Sequence, residues 1–169
     1  NKYLTEESIR KSLKSYPYHH IQKIGRGDNS LACYSRYPIL SAKPIEYKST
    51  YNGSVLYKIV IGTDTVAVIN NHLESHKLTR EDRRIYEDMI TAPETQKVKS
   101  GIRHLVNKLG EAMSIRSQQA DAIAGEISAL KNSDIIVCGD FNDSPISYTH
   151  RTISKDLDDA FVKSGRGLG

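Results

Sequence analysis

Apolar residues recur along this chain with two different periods, and the change from one to the other divides it. Between residues 30 and 72 the runs are short and rich in β-branched and aromatic side chains. They predict four strands, at Ser30–Ser35, Ile39–Tyr47, Ser54–Ile61 and Thr65–His72. Asn52-Gly53 and Gly62-Thr63-Asp64 supply turns, and the last two strands read as a hairpin. From Thr79 the spacing becomes helical. Thr79–Ile90 and Val98–Leu130 predict helices separated by Thr91-Ala92-Pro93-Glu94. Ile123, Ile127 and Leu130 form a core-facing stripe on the second of them. Asp134–Cys138 predicts a further strand, and Leu4–Leu13 a short helix with Thr5 as its cap and Glu6 and Glu7 in its first turn.

Composition narrows the class. The 169 residues fit one domain, and 38% hydrophobic with 26% charged residues is the balance of a globular protein. No stretch has the length to span a membrane, and no signal-peptide pattern occurs; since the N-terminus reads as truncated, the parent's cellular address stays open. The formal charge of +4 has two readings, solubility or attraction of a phosphorylated substrate, and a nucleic-acid binder would carry a denser basic stripe. Cys33 and Cys138 each sit among apolar strand residues and read as buried free thiols. The stretch from Leu78 to Leu109 mixes Arg80, Arg83, Arg84, Lys97, Lys99, Arg103 and Lys108 with Glu81, Asp82, Glu87 and Asp88. It reads as a solvated helical excursion, the alternative being a substrate-binding arm.

Candidate chemistry gathers where two apolar strands end in polar residues. Ile135-Ile136-Val137-Cys138 reads as a core strand running into Gly139-Asp140-Phe141-Asn142. In extended chain Asp140 and Asn142 share one side and Phe141 takes the other. A carboxylate beside an amide suits a hard cation and a phosphate oxygen. Thr65-Val66-Ala67-Val68-Ile69 ends in Asn70-Asn71-His72-Leu73-Glu74, where Asn70, His72 and Glu74 share one parity. Sheet enzymes present such clusters at one rim.

Together these segments resemble the endonuclease/exonuclease/phosphatase superfamily, with its deoxyribonuclease I-like fold. Asn70-Asn71-His72-Leu73 is similar to the family pattern N-x-H-L, and Gly139-Asp140-Phe141-Asn142 to G-D-F-N. Ser35-Arg36-Tyr37-Pro38-Ile39 resembles its S-R-x-P-I strand end, and Arg116-Ser117-Gln118-Gln119-Ala120 its R-x-x-Q-A helix. Leu157-Asp158-Asp159-Ala160-Phe161 resembles the segment that follows G-D-F-N. The pieces fall in the family's order. The family also carries a Gln-Glu pair upstream, whose Glu is its principal magnesium ligand, and a Ser-Asp-His downstream. Neither tripeptide nor dipeptide occurs here, so the chain reads as a partial domain, residues 1–169, incomplete at both ends, with a helical insertion at about 78–109.

The resemblance implies an α/β four-layer αββα sandwich and, for the parent protein, metal-dependent hydrolysis of a phosphodiester or phosphomonoester by in-line attack of water. His72, Asp140 and Asn142 are the implied catalytic residues; Asn70, Arg36 and Asn29 are candidates for substrate binding. Asp140 and Asn142 are the candidate ligands for Mg2+, with Mn2+ as an alternative. Nucleic acids, inositol phosphates and phospholipid headgroups are all substrates of this superfamily, and no subgroup motif chooses among them. The fragment alone is expected to be inactive and prone to self-association through unpaired sheet edges. The rival reading is a non-catalytic remnant that binds a ligand or partner through the same surface. Bland roles are also open: Asp140 or Asn142 as a turn former, Asp143 as the cap of a Ser144-Pro145 turn with Pro145 at the first helical position, Glu74 as a solvated turn residue rather than a rim ligand, and Arg36 in an ion pair. His19 and His20 are discounted as a metal pair, since neighbours in a strand point opposite ways.

Overall fold

The computed structural model describes residues 5–26, 29–91, 96–130 and 133–165. The elements in chain order are α1 (Glu6–Ser12), β1 (Tyr18–Lys23), β2 (Ser30–Ser35), β3 (Ile39–Pro44), β4 (Gly53–Ile61), β5 (Asp64–His72), α2 (Arg80–Thr91), α3 (Gln96–Ala129), β6 (Asp134–Asp140), α4 (Tyr148–Ile153) and α5 (Ala160–Ser164). Thr5 caps α1, its hydroxyl accepting the Ser8 N–H at 3.2 Å. The separator at 92–95 and the run at 166–169 lie outside the described residues.

β3, β4, β5 and β6 form one sheet in that order, antiparallel except for the parallel pair β5–β6. β1 and β2 form an antiparallel ribbon that lies against β3, β4 and β5. The alternation of side chains along each strand then makes two cores. On the ribbon side Ile24, Leu31, Val55, Tyr57 and Ile59 are buried together, with Val68 against them. On the other side Ile45, Leu56, Ala67, Ile69 and Leu73 meet Ala120, Ile123 and Ile127 of α3 and Ile153 of α4. The helical stripe read from the sequence is this contact. The result is an α/β sandwich in which the C-terminal half of α3 lies in the crossover that a parallel strand pair requires.

Three local expectations change. β1 is a strand although only Ile21 in Tyr18–Lys23 is aliphatic; its residues pair with β2, His19 stacking on Tyr34 and His20 meeting Tyr57 edge-on. β6 is not buried on both faces: Ile135 and Val137 pack on the helix side, whereas Ile136 is 53% exposed and Cys138 is exposed. β6 is the edge strand of its sheet, and the ribbon lies toward the other strands. Cys138 is therefore a free but not a buried thiol. Finally, Pro145 does not open a helix; Ser147 caps α4, accepting the His150 N–H.

α2 packs on the N-terminal half of α3. Asp82 ties the two together: it accepts Lys108 Nζ at 2.6 Å and the Thr79 N–H and hydroxyl, and the Lys108 bond foremost holds its carboxyl well below the usual range. The sheet-side core is met further along, at Ala120, Ile123 and Ile127. We propose that residues 78–109 are a surface excursion. Replacing them with a short linker is expected to leave cooperative thermal unfolding by circular dichroism; a variant without any cooperative transition would refute this. No described helix is long and apolar enough to cross a membrane.

Candidate active site

β5 and β6 run parallel, so their carboxyl ends reach the same rim, and their register decides what meets there. Asn70 pairs with Cys138, Asn71 with Gly139 and His72 with Asp140. In-register neighbours share a face, so Asn70, His72 and Asp140 stand on the ribbon side. Asn70 confirms the side, its Nδ2 donating to the Ala32 carbonyl of β2 at 3.4 Å. Asn29 reaches the same end: its Nδ2 donates to the Tyr51 carbonyl at 3.2 Å, two residues before Gly53, the β4 partner of His72.

Gly139 makes this register attainable. Its φ is +134°, and a Cβ there would lie 2.7 Å from the Asn71 carbonyl carbon and amide nitrogen and closer still to the carbonyl oxygen. Asn71 faces the helix side, fully buried, and donates from Nδ2 to the Cys138 carbonyl at 3.0 Å. The Leu73 N–H then donates to the Asp140 carbonyl at 2.9 Å. The two strand ends are thus stitched from behind.

Asn142 is not in extended chain. Its φ is +50°, a left-handed conformation that Asn tolerates. The expected shared parity with Asp140 gives way to a tight turn, in which the Asn142 N–H donates to Asp140 Oδ1 at 3.0 Å. The side chain folds back so that Nδ2 donates to the Leu73 carbonyl at 3.0 Å. Asn142 therefore sits beside the residue after His72. One amide hydrogen and Oδ1 remain for an outside partner, as does the second oxygen of the exposed Asp140.

Arg36 is not brought to this rim. It follows β2 at the far end of the ribbon, next to Pro38, whose carbonyl accepts the Val60 N–H, and Val60 pairs with Thr65. From Thr65 to His72 is about 23 Å along an extended strand. The Arg36 guanidinium lies 5.2 Å from the centre of the Tyr16 ring, a cation–π contact. Asn29, Asn70, His72, Asp140 and Asn142 share one end of the sandwich, and Arg36 has a role at the other.

Polar residues behind the rim make contacts that the sequence reading does not supply. Asn52 is buried and donates from Nδ2 to the Leu73 carbonyl at 2.9 Å, so that carbonyl accepts from Asn52 and Asn142 together. Glu74 is buried rather than solvated; it pairs with Lys77, and its N–H donates to Gln119 Oε1 at 2.9 Å. Asp143 accepts the Ser144 N–H, as a turn former does, but its other oxygen binds Arg116 Nε at 3.1 Å. Burial acts against the charged form of Asp143, yet hydrogen bonds from Thr149 and Ser144, together with Arg116, hold its carboxyl below the usual range. Arg116 and Gln119 are the polar positions of the R-x-x-Q-A resemblance, and they lie on the face that also carries Ala112, Ala120 and Ile123.

A groove of about 910 Å³ runs from Phe141 and Pro145 past His150 to Phe161. His150 Nε2 lies 2.8 Å from Asp159 Oδ2, while Asp159 Oδ1 accepts the Phe161 and Val162 N–H groups that begin α5. The His150 bond foremost, then the Val162 amide, lowers the Asp159 carboxyl from its ordinary value of 3.8. A lowered value means the carboxylate's contribution to folding is complete above the ordinary range and is lost as pH falls through the lowered one. We expect α5 to loosen below about pH 4 while the sheet persists. Unchanged Phe161 side-chain NMR shifts on acidification to about pH 2 would contradict this.

The fold and rim define an α/β-sandwich protein with a polar site at the carboxyl ends of a parallel strand pair. Over residues 3–168 the sequence matches the Endonuclease/Exonuclease/phosphatase family, and the chain belongs to that family. Among solved structures it is similar to sphingomyelinase C from Streptomyces griseocarneus, with 16% identity and a TM-score of 0.57 over 89% of this chain and 51% of that one. It is similar to a mutant beta toxin from Staphylococcus aureus with bound magnesium ions, with 19% identity and a TM-score of 0.55 over 90% and 52%. It is also similar to ANGEL2, a 2′,3′-cyclic phosphatase, with 22% identity and a TM-score of 0.50 over 87% and 39%. The chain thus spans about half the length, or less, of these structures. A comparison with curated protein sequences found no match.

Proposed function

We propose that the protein from which this chain derives is a magnesium-dependent phosphoester hydrolase, and that His72, Asp140 and Asn142 belong to its catalytic set. The observation that carries the reading is the pairing of His72 with Asp140 at one rim, with Asn142 folded between them. Water attacks phosphorus in line with the leaving oxygen; the phosphorus–oxygen ester bond breaks and the leaving oxygen takes up a proton. His72 hydrogen-bonds the phosphate or delivers that proton. Asp140 orients the attacking water, and Asn142 donates its remaining amide hydrogen to a phosphate oxygen as charge builds in the transition state. Asn70 and Asn29 support the substrate end of the rim.

The donor set fits magnesium as a half-site. Asp140 and Asn142 offer hard oxygens, and magnesium commonly takes one or two protein oxygens with water and substrate phosphate completing its shell. Among the described residues no group of three or more His, Cys, Asp or Glu is placed to hold a metal. When bound, the ion supplies charge neutralisation on the phosphate. The substrate is a phosphorylated molecule; sphingomyelinase C and a 2′,3′-cyclic phosphatase among the similar structures favour a phosphodiester.

Hydrolysis of an aryl phosphodiester by the parent polypeptide tests the reading. Magnesium-dependent turnover that falls in Asp140→Ala supports it, and turnover unchanged by that substitution sinks it. From the 169 residues alone we expect little or no turnover, because no Gln-Glu or Ser-Asp-His occurs among them. Activity of this chain that disappears in Asp140→Ala would overturn that expectation. The same missing motifs are what favours a second reading, a non-catalytic binding surface. We further propose self-association through the β6 edge, read as a mass that rises with concentration in light scattering; a constant monomer mass would dismiss it.

A further inference from the structure

We propose that Arg116 is a positioning residue for the candidate site, holding the loop after His72 and the loop after Asn142 in one fixed relation. Its functional consequence rests on the phosphoester reading above; its structural consequence does not. Arg116 is 0% exposed. A guanidinium enters a protein interior only with partners for its charge and its N–H groups. Its partners divide between the two loops. Nε binds Asp143 Oδ2 at 3.1 Å, on the segment just past Asn142. NH1 donates to the Glu74 carbonyl at 2.9 Å, and NH2 lies 3.5 Å from His76 Nδ1, both on the segment just past His72. Arginine only donates, so in this contact His76 Nδ1 is the acceptor.

Gln119 lies one turn along the same helix face and completes the grip, accepting the Glu74 N–H. Glu74 is therefore held by α3 at both its N–H and its carbonyl. The preceding residue is Leu73, whose carbonyl is the seat of the Asn142 amide. From guanidinium to Asn142 the path is one hydrogen bond, one peptide unit and one further hydrogen bond. Stability alone does not account for this arrangement, since buried ion pairs are often replaced by apolar groups without loss. The three directions in which one rigid fork reaches do account for it, and a lysine ammonium cannot reproduce them.

The test compares wild type, Arg116→Lys and a control, Ile59→Val, which trims the ribbon-side core away from the loops. Side-chain amide NMR and titration with inorganic phosphate are read on each. In Arg116→Lys, with cooperative unfolding retained, the Asn142 amide pair is expected to shift and broaden. The phosphate dissociation constant should rise about tenfold, the equivalent of one misplaced hydrogen bond. The control should change neither. If Arg116→Lys does not fold, Gln119→Ala, which removes the acceptor for the Glu74 N–H, is read in the same way. A folded variant with an unmoved Asn142 amide and unchanged phosphate affinity overturns the proposal. If wild type does not titrate with phosphate, the Asn142 amide signal alone decides whether Arg116 positions it, and the phosphoester reading is decided separately by Asp140→Ala in the parent polypeptide.

Discussion

Gly139→Ala is expected to cost about 3 kcal/mol or more of folding stability, a large fraction of what a marginally stable domain possesses. Two independent penalties combine. At a φ of +134° a residue with a Cβ is strained by of order 1–3 kcal/mol even in open space. Here the space is also filled, by the Asn71 backbone of the neighbouring strand rather than by a side chain that can rotate away. Relief would require β5 and β6 to part at the level of Asn71, next to the His72–Asp140 pair. Chemical denaturation measures the effect directly. A midpoint within a few tenths molar urea of wild type would show that the strands separate there at little cost, and that their register at the rim is loosely held.

The second large effect concerns chemistry. In the parent protein Asn142→Ala should lower turnover on the order of a hundredfold or more, as loss of a preorganised transition-state donor typically does. The substitution removes the amide hydrogen offered to phosphate and the bond to the Leu73 carbonyl that fixes the amide's direction. It also places a Cβ without a helpful side chain at a φ of +50°, so some stability is lost as well. Asn142→Gly separates the two, since glycine accepts that φ and lacks only the amide. Turnover in Asn142→Gly near the wild-type value would remove Asn142 from the catalytic set.

What the sequence conveyed, and what it did not, follows from the kind of information each signal holds. Hydrophobic alternation reports which face of a strand is covered, so β4, β5 and the helix-facing half of β6 were readable, and Ile123 with Ile127 located the helix face that covers them. The same alternation does not report which end of a strand meets which. Arg36, placed at the rim by motif alone, lies instead over Tyr16 because β2 runs away from His72. β1 is missing from the predicted strands, although His19 and His20 are read in extended chain, because those residues and Gln22 carry no strand pattern and are held by pairing with β2. The backward fold of Asn142 depends on the Leu73 carbonyl, which comes from a distant strand. Arg116 and Gln119 were visible as the polar positions of the R-x-x-Q-A helix, but not the loops they bind, because Glu74 and Asp143 reach them only in the fold.

α3 has a mechanical consequence. At 34 residues it is a single rod about 51 Å long. Its free half carries α2, and its seated half carries Arg116 against the two loops. No loop joins these halves, only unbroken helix, with Gly110 lying between them and open space where its side chain would be. A load placed on the free half arrives at the rim as torsion of one continuous shaft.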